Sequence, residues 1–344
     1  MSNYSETLSG LASQLSRLAA SSSSDAEKNK DAVIIAQNVL NAVRGPTPDW
    51  MDRMINVMGL VGLKLFLEWK VFDLIPLDNS ISYTHLAKKL EADVSLITLK
   101  LPEYFAQYGR REPATRTHTP YAFTYGKPEK EVWELHEENP EQVKRFMKSM
   151  EMVQQFIPLE GIYDFSWVKA KLLEEHNRPI FIDVGGSKGH AIRAILKENP
   201  FIPAERVVLQ DRDEVIEQVA ALKDPGLESV KLQAHDFHTE QPVKNALIYW
   251  IRRCLHDYGD DDSVKILSQL SDAMGSDSKV LVVEYVLQNP PPSLGAMTDF
   301  GMMSIGGKER TAGDWKALTA RAGLKIEKIH GLDMKMQVIE CTKA

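Results

Sequence analysis

The stretch that most constrains this fold is residues 179–191, with the sequence PIFIDVGGSKGHA. A short β-favouring apolar run that carries one acid, Asp183, enters a turn with Gly185, Gly186 and Gly189, and apolar residues then recur at helical spacing. This order predicts a strand, a tight turn and a helix, whose first N–H groups can bind a ligand lying against bare main chain. A glycine turn alone also fits any strand-to-helix turn of an α/β domain.

The spacing downstream of this turn favours a nucleoside ligand. A second apolar strand pattern, at 206–210, ends at Asp211. This carboxylate lies about 20 residues beyond the turn, where nucleotide-binding sheets hold a ribose diol. Because the turn is Gly-Gly-x-x-Gly and not Gly-x-Gly-x-x-Gly, a nucleoside without phosphate is favoured over a pyrophosphate.

From residue 177 onward, predicted strands and helices alternate. The further strands are predicted at 230–237, 246–251, 279–286, 324–329 and 335–341, and two of the helices at 261–274 and 315–322. Such alternation predicts an α/β fold with a Rossmann-like, doubly wound sheet that is mostly parallel.

The N-terminal part is predicted to be helical and winged-helix-like. Two apolar stripes run through residues 1–45, helices are expected at 51–72, 82–90 and 95–108, and a small hairpin at 110–120. Pro102 should kink or break the helix at 95–108. Such units often bind DNA, but the helix at 95–108 has Lys100 as its single basic residue. A structural or dimerising role is therefore favoured.

The segment between the two parts is expected to begin with an aromatic loop at 121–127. A helix at 130–156 follows, whose methionines and aromatic residues belong to the core or line a substrate cleft. We therefore expect a winged-helix-like dimerisation domain at 1–125, a helical linker at 126–176 and a ligand-binding α/β domain at 177–344.

Composition argues against several classes of function. The net charge is −7 and there is no long basic run, which argues against nucleic acid as a partner. The two cysteines fit no disulfide framework or metal-ligand spacing, and they suit a reducing compartment. Since no apolar run reaches membrane-spanning length and no signal-peptide pattern is evident, we expect a cytoplasmic protein without a membrane partner.

Side chains suited to chemistry fall at the predicted strand ends. Asp211, Asp236 and His256 follow strands whose carboxyl ends meet at one edge of the sheet. His256 can accept a proton near neutral pH, although a lone histidine is more often structural. Glu284 lies within an apolar strand and Glu309 in a loop. Each acid either serves a site or is an ordinary surface charge.

Six motifs in order carry a family resemblance. They are DVGGxxGH at 183–190, LQD at 209–211, HDF at 235–237, LHDY at 255–258, VVE at 282–284 and GGKERT at 306–311. The chain resembles the class I S-adenosylmethionine-dependent O-methyltransferases of the plant caffeic-acid type and, more closely, their fungal secondary-metabolite relatives. The resemblance covers nearly the whole chain. It implies a homodimer formed through the N-terminal domain, S-adenosylmethionine as cofactor with S-adenosylhomocysteine as product, and a hydroxyl of a small aromatic or polyketide-like substrate.

The resemblance also implies roles for single residues. The resemblance implies cofactor contacts for Gly185 and Gly186 at the methionine part, Asp211 at the ribose hydroxyls, and Asp236 and Phe237 at the adenine. Arg252 stands where the family has a basic residue on the cofactor side. His256 would deprotonate the substrate hydroxyl. Glu284 and Glu309 would flank and orient the imidazole of His256. No metal is implied.

The sequence departs from the family pattern at three places. Ser187 and Lys188 follow the first two glycines, where the family usually has a third consecutive glycine. Arg212 and Asp213 replace the usual Leu-Pro after the ribose acid, so that Asp213 either disturbs adenosine binding or faces solvent. A kink at Pro102 would reshape the dimer contact.

The substrate pocket is the least specified part of the prediction. Its candidate residues are Tyr125, Met150, Phe156, Trp250, Met297, Phe300, Met303 and Lys308, and each of the apolar ones is equally suited to the core. The alternative function on the same fold is a pericyclase or dehydratase that holds S-adenosylmethionine without transferring its methyl group. Lys308, His118 and Arg253 would be the acids in such a reaction.

Overall fold

The computed structural model describes residues 13, 70, 101–113, 115–138, 159–175, 177–332 and 336–344. The elements named below lie in one compact unit of the chain, Val61–Ala344. Apart from the single residues 13 and 70, the stripes at 1–45 and the helices at 51–72 and 82–90 fall outside the described residues, as do residues 95–100 and most of the helix at 130–156. Those predictions stay predictions.

A seven-stranded sheet forms the centre of the described part. Its strands in chain order are β1 Phe181–Val184, β2 Val207–Asp211, β3 Lys231–Ala234, β4 Ile248–Arg252, β5 Lys279–Glu284, β8 Leu324–His330 and β9 Gln337–Lys343. They are ordered β3-β2-β1-β4-β5-β9-β8, and β9 runs antiparallel to both of its neighbours. Two short strands, β6 Val286–Leu287 and β7 Arg310–Thr311, pair in parallel apart from this sheet. The predicted α/β fold with a mostly parallel sheet is confirmed.

Helices connect these strands. Numbered within the described residues, they are α1 Leu101–Tyr108, α2 Pro120–Thr124, α3 Val132–Glu137, α4 Val168–Glu174, α5 His190–Glu198, α6 Asp213–Leu222, α7 Asp260–Ala273, α8 Ser293–Ser304 and α9 Ala312–Arg321. Short 3₁₀ turns lie at Ala204–Arg206, Pro225–Leu227 and Leu255–Asp257. Among the described helices, none has the length and apolar character needed to cross a membrane.

Helices cover both faces of the sheet, which explains why its central strands are nearly continuous apolar runs. Along β4, Trp250 packs into one apolar cluster with residues of α5 and α6. Its neighbours Tyr249 and Ile251 pack into a second cluster with residues of α7 and α9. Trp250, a candidate pocket residue, is therefore a core residue.

The sheet order places a crevice where a ligand is expected. The chain runs from β1 through β2 to β3 on one side and then returns to β4 on the other side of β1. In such sheets, ligands bind beyond the carboxyl ends of the strands at this reversal. The segments that follow β1 and β4 carry the glycine turn and His256.

The predicted hairpin at 110–120 is wrong. The described residues between 110 and 119 form bends and coil without strand pairing. Pro113 and Pro120 have no N–H group for a strand ladder, which disfavours a hairpin here. The segment is held instead by the Tyr104 hydroxyl, which donates to the carbonyl oxygen of His118 at 2.6 Å.

The predicted aromatic loop at 121–127 is also wrong in its first half, which is helix α2. Thr119 caps this helix, since its hydroxyl accepts the N–H of Ala122 at 3.1 Å, and Pro120 fixes the first turn. Pro102 lies in the first described turn of α1. Because the residues before 101 are not described, the predicted kink at Pro102 stays a prediction.

Candidate active site

A cavity with a volume of ≈ 490 Å³ opens beyond the carboxyl ends of β1 and β4. Its described lining comes from the glycine turn after β1, the segment after β4, helices α2 and α3, and the end of α8. This volume lies in the range of small-molecule sites.

The glycine turn forms one wall of the cavity with little room for side chains. Gly185 has a φ of +68°, and a Cβ atom on Gly186 would lie 2.3 Å from Leu209 Cδ1 and 2.6 Å from the Asp183 carboxylate. Ser187 follows in the left-handed region with a φ of +49°. Ser187 and Lys188 line the cavity, so the departure from the family pattern lies at the site itself.

Asp183 lines this cavity with a buried carboxylate. Its Oδ2 atom has no hydrogen-bond partner. Burial raises the pKa of Asp183 to about 7, against the lowering effect of the Arg252 guanidinium, which lines the same cavity. An unpartnered buried carboxylate calls for a ligand donor. Sequence reasoning gave this acid no role, although one acid in an apolar strand was a signal.

Asp211 ends β2 and is held by two main-chain groups. Its Oδ2 accepts the N–H of Ser187 at 2.7 Å, and its Oδ1 accepts the N–H of Arg212 at 2.8 Å. A carboxylate fixed in this way still has free lone pairs for hydroxyl donors. Asp213 is exposed in the first turn of α6, where an acid suits the helix dipole. The solvent-facing alternative for Asp213 therefore fits the structure.

The two residues expected at the adenine follow β3, outside the lining of this cavity. Asp236 is exposed and caps its own turn, with Oδ1 accepting the N–H of His238 at 2.9 Å. The Phe237 ring lies edge to face with Tyr258, at 5.9 Å between centroids. Phe237 thus lies close to the segment that carries His256.

His256 lines the cavity and is surrounded by three carboxylates. Its Nδ1 lies 3.4 Å from Glu309 Oε1 and 3.7 Å from Glu284 Oε2, and its Nε2 lies 3.5 Å from Asp257 Oδ1. Only 6% of the residue is exposed. The structure thus brings together the three residues to which the sequence assigned catalysis, and it adds Asp257.

These carboxylates decide the charge of the imidazole. Burial disfavours the imidazolium, but the surrounding carboxylates, Glu284 first and then Asp257, outweigh burial and raise the pKa of His256 to about 9. The carboxylates around His256 therefore favour the protonated imidazole at neutral pH.

Glu284 has a second task that the sequence did not indicate. Its Oε1 accepts the N–H groups of Cys254 and Leu255, both at 3.0 Å. The acid at the end of β5 thus fixes the start of the 3₁₀ turn that carries His256.

Exchanging Glu284 for glutamine separates these two tasks. The Glu284→Gln side chain keeps an oxygen for both N–H groups but removes the negative charge, so the pKa of His256 should fall well below about 9. An NMR titration with labelled histidine measures this. His330, which bonds to Glu340 on β9 at 2.9 Å, is the internal reference. An unchanged pKa of His256 would contradict the electrostatic role of Glu284.

The segment before β7 packs main chain to main chain against the His256 turn. The N–H of Lys308 donates to the carbonyl oxygen of His256 at 2.8 Å. A Cβ atom on Gly307 would lie 1.9 Å from that same oxygen and 2.7 Å from the carbonyl carbon of Asp257. Only glycine permits this approach at residue 307.

The same segment is tied to helix α8. The N–H of Glu309 donates to Asp299 Oδ1, and the N–H of Gly307 donates to the carbonyl oxygen of Met302, both at 2.9 Å. Burial raises the pKa of Asp299 to about 6. Met302 lines the cavity, so α8 connects the cavity wall to the partner of His256.

A family model described as an O-methyltransferase domain matches residues 107–325 of this chain. The chain belongs to the O-methyltransferase domain family. Methyltransferase cfoD of Aspergillus candidus is 32% identical, with the alignment covering 93% of this chain and 93% of that protein. Methyltransferase pvhD of Talaromyces variabilis is 40% identical over 67% of this chain, which spans 64% of the relative. The resemblance read from the six motifs is confirmed.

Solved structures share the O-methyltransferase fold with this chain. OxaC in complex with S-adenosylhomocysteine and oxaline is 21% identical with a TM-score of 0.67, and the match covers 99% of this chain and 100% of that one. LepI in complex with S-adenosylmethionine is 19% identical with a TM-score of 0.64, over 99% and 100% of the two chains. At these identities the likeness shows the fold.

The substrate-pocket candidates do not line the described cavity of this O-methyltransferase-family chain. Tyr125 is 47% exposed, and Phe300 and Met303 are buried in α8 away from it. The residues at the end of α8 that do line it are Gly301, Met302 and Ile305. Met297 is half-buried and does not line it either, and Met150 and Phe156 fall outside the described residues.

The polar candidates also lie elsewhere, with one exception. Lys308 donates to Glu112 Oε1 at 2.9 Å and does not line the cavity. The ring of His118 lies 3.1 Å from Glu129 Oε1, away from it. Arg253 does line the cavity, in a left-handed conformation with a φ of +53°.

Sequence reasoning allowed aromatic residues of the helix at 130–156 to line a substrate cleft, but it assigned neither Tyr121 nor His136 to the site. Tyr121, Trp133 and His136 line the cavity, and the ring nitrogen Nε2 of His136 lies 3.2 Å from the Tyr121 hydroxyl. Burial lowers the pKa of His136. The aromatic composition of 121–136 was a signal, but the inward face of the short helices α2 and α3 depends on tertiary packing.

Proposed function

We propose that this chain is an S-adenosylmethionine-dependent O-methyltransferase that acts on a hydroxyl of a small aromatic or polyketide-like molecule. One observation carries the proposal: His256, held among three carboxylates, lines the same cavity as the glycine turn. A site that combines a nucleoside cradle with a buried base suits transfer of a group from the cofactor to a deprotonated hydroxyl.

The residues around the cavity fit the proposed cofactor. Asp183 offers an unpartnered carboxylate oxygen to an ammonium group such as that of the methionine part, and Gly185 and Gly186 leave the main chain bare beside it. Asp211 keeps lone pairs for the ribose hydroxyls. The remaining assignments are Asp236 and Phe237 at the adenine and Arg252 on the cofactor side.

When bound, S-adenosylmethionine supplies an electrophilic methyl group on a cationic sulfur. His256 takes the proton of the substrate hydroxyl, so that the oxygen can attack. Glu309 and Glu284 hold Nδ1 of the imidazole, and Asp257 lies at Nε2. Catalysis then consists mostly of positioning together with base assistance.

His256 can act as a base only in its neutral form, whereas the carboxylates around it raise its pKa and favour the protonated form. A second cation in the same cavity disfavours the imidazolium by Coulomb repulsion. The pKa of His256 would therefore be lower beside a bound cationic cofactor, so that its proton passes more readily to solvent and the neutral base becomes available.

Calorimetric titration tests this proton release. At about pH 7, binding of S-adenosylmethionine should release more protons than binding of S-adenosylhomocysteine, because the sulfonium charge should lower the pKa of His256 from about 9. S-adenosylhomocysteine carries the same ammonium group, which faces Asp183, but no sulfonium charge, so it should release fewer protons. Titrations in two buffers of different ionisation enthalpy give the proton count, and His256→Asn should abolish the difference. Equal release by both ligands would contradict this effect of the sulfonium charge.

The function itself is tested with methyl-labelled cofactor. The purified protein is incubated with labelled S-adenosylmethionine and a panel of phenols and enolised β-dicarbonyl compounds, including 1,4-dihydroxy-2-naphthoic acid, which NcsB1 binds in a solved structure of this fold. A labelled methyl ether supports the proposal. A product methylated on nitrogen would support a methyltransferase but contradict a hydroxyl oxygen as the methyl acceptor. An unmethylated, rearranged or dehydrated product would favour the pericyclase or dehydratase.

We also propose that the chain forms a homodimer through its winged-helix-like N-terminal domain, as the family resemblance and the N-terminal apolar stripe suggest, and that it works in the cytoplasm. The boundaries at 125 and 176 are part of this proposal. Sedimentation of the full chain measures its mass in solution, and a monomer at micromolar concentration would overturn the dimer.

A further inference from the structure

Arg310, the first residue of β7, is an arginine with no exposed surface. A buried guanidinium is unfavourable unless its donors are all used. Here Nε donates to Asp260 Oδ1 at 2.9 Å, and Nη2 donates to Ser263 Oγ at 3.2 Å. The remaining bonds of the side chain go to main-chain oxygens.

These oxygens bracket the turn that carries His256. Nη1 of Arg310 donates to the carbonyl oxygen of Leu255 at 3.0 Å, and Nη2 donates to that of Tyr258 at 2.8 Å. The two carbonyls stand on either side of His256. Because the guanidinium is planar and rigid, two bonds from one fork fix the distance between these carbonyls.

Three consecutive residues thus hold His256 at different points. The Lys308 N–H binds the carbonyl oxygen of His256, and the Glu309 carboxylate faces Nδ1 of the imidazole. Arg310 holds the main chain on both sides. The contact between the Glu309 carboxylate and the imidazole would not by itself fix His256 if the main chain of the turn could shift.

We propose that Arg310 is a positioning residue for His256, whose guanidinium fork sets the 3₁₀ turn so that the imidazole meets its carboxylates and lines the cavity. The importance of this task for catalysis rests on the proposed role of His256 as base. The positioning itself does not, because it can be measured without substrate.

The test variant is Arg310→Lys, which keeps a cation for Asp260 but cannot bridge two carbonyls. As the turn relaxes, the imidazole moves away from its carboxylates, and the pKa of His256 should move from about 9 towards its ordinary value of about 6.5. With a methylated panel compound, kcat should fall by about 10- to 100-fold. Binding of S-adenosylhomocysteine should change less than about twofold, since the glycine turn belongs to β1.

Asp260→Asn is the matched control, since it removes the ion pair with Arg310 but leaves both carbonyl bonds. It should keep the pKa of His256 near that of the wild type. Should Arg310→Lys not fold, Arg310→Gln is the second variant: its amide can donate to only one of the two carbonyls without the planar fork, and it should shift the pKa of His256 in the same direction.

Two results would overturn the inference. One is a wild-type pKa of His256 in a folded Arg310→Lys or Arg310→Gln protein. The other is loss of S-adenosylhomocysteine binding in proportion to any change at His256, which would make Arg310 a support of the whole fold. If the wild type methylates no panel compound, the pKa measurement still decides the role of Arg310, and only the proposed function is weakened.

Discussion

Replacing His256 with asparagine is expected to lower kcat by about 10²- to 10⁴-fold, the usual contribution of a positioned general base. The asparagine amide can still reach Glu309 from the position of Nδ1, but it provides no base in place of Nε2. Affinity for S-adenosylhomocysteine should stay within about threefold, because Asp183, Asp211 and the glycine turn are untouched. Single-turnover kinetics with labelled cofactor and a methylated panel compound measure the chemical step.

His330→Asn is the matched control for this substitution. His330 lies on β8, bonds to Glu340 and lies outside the lining of the cavity, so its replacement should leave kcat within about twofold of the wild type. A His256→Asn protein with more than about a third of wild-type kcat would remove His256 from the role of base. The transfer would then depend on positioning alone.

Replacing Gly307 with alanine is expected to reduce kcat by about 10²-fold or more, through displacement of the same turn. The new Cβ atom would lie 1.9 Å from the carbonyl oxygen of His256, and main-chain atoms cannot move aside by a change of rotamer. The His256 turn or the segment before β7 must therefore shift, and the Lys308 N–H bond is lost. Forced overpacking of this kind also lowers the free energy of unfolding by about 1–3 kcal/mol.

Kinetics and thermal unfolding of two glycine variants check this result. Gly313→Ala is the control, since residue 313 lies in α9 and a Cβ atom there would meet nothing closer than 3.7 Å. Alanine in a helix should leave the stability of that variant equal or slightly higher. A Gly307→Ala enzyme with wild-type kcat and melting temperature would show that this close approach does not hold the turn.

Much of the fold and half of the site could be predicted because their signals are local. The strand, glycine turn and helix around Gly186 are encoded in adjacent residues, and parallel strands bring Asp211 and His256 to one edge. The acid in the apolar run of β5 also marked Glu284 as a residue with a task. These features can be predicted without information on how the helices pack.

The rest depends on contacts between distant segments. Which side of α8 faces the cavity is decided by packing against α2 and the segment before β7, so sequence favoured Met303 where the structure places Met302 at the wall. Asp183 received no role because its missing partner is visible only once its surroundings are known. The same holds for Arg310, whose bonds reach residues about 50 positions away.

The bonds from α8 to the segment before β7 have a consequence for altering this enzyme. Met302 at the cavity wall and Glu309 at the imidazole belong to one hydrogen-bonded stretch, through Gly307 and Asp299. A substitution that reshapes the cavity wall should therefore also move Glu309, the group proposed to orient His256. If the proposed function holds, we expect substrate selectivity and turnover to change together, so that directed evolution towards new substrates needs paired changes on α8 and in residues 306–310.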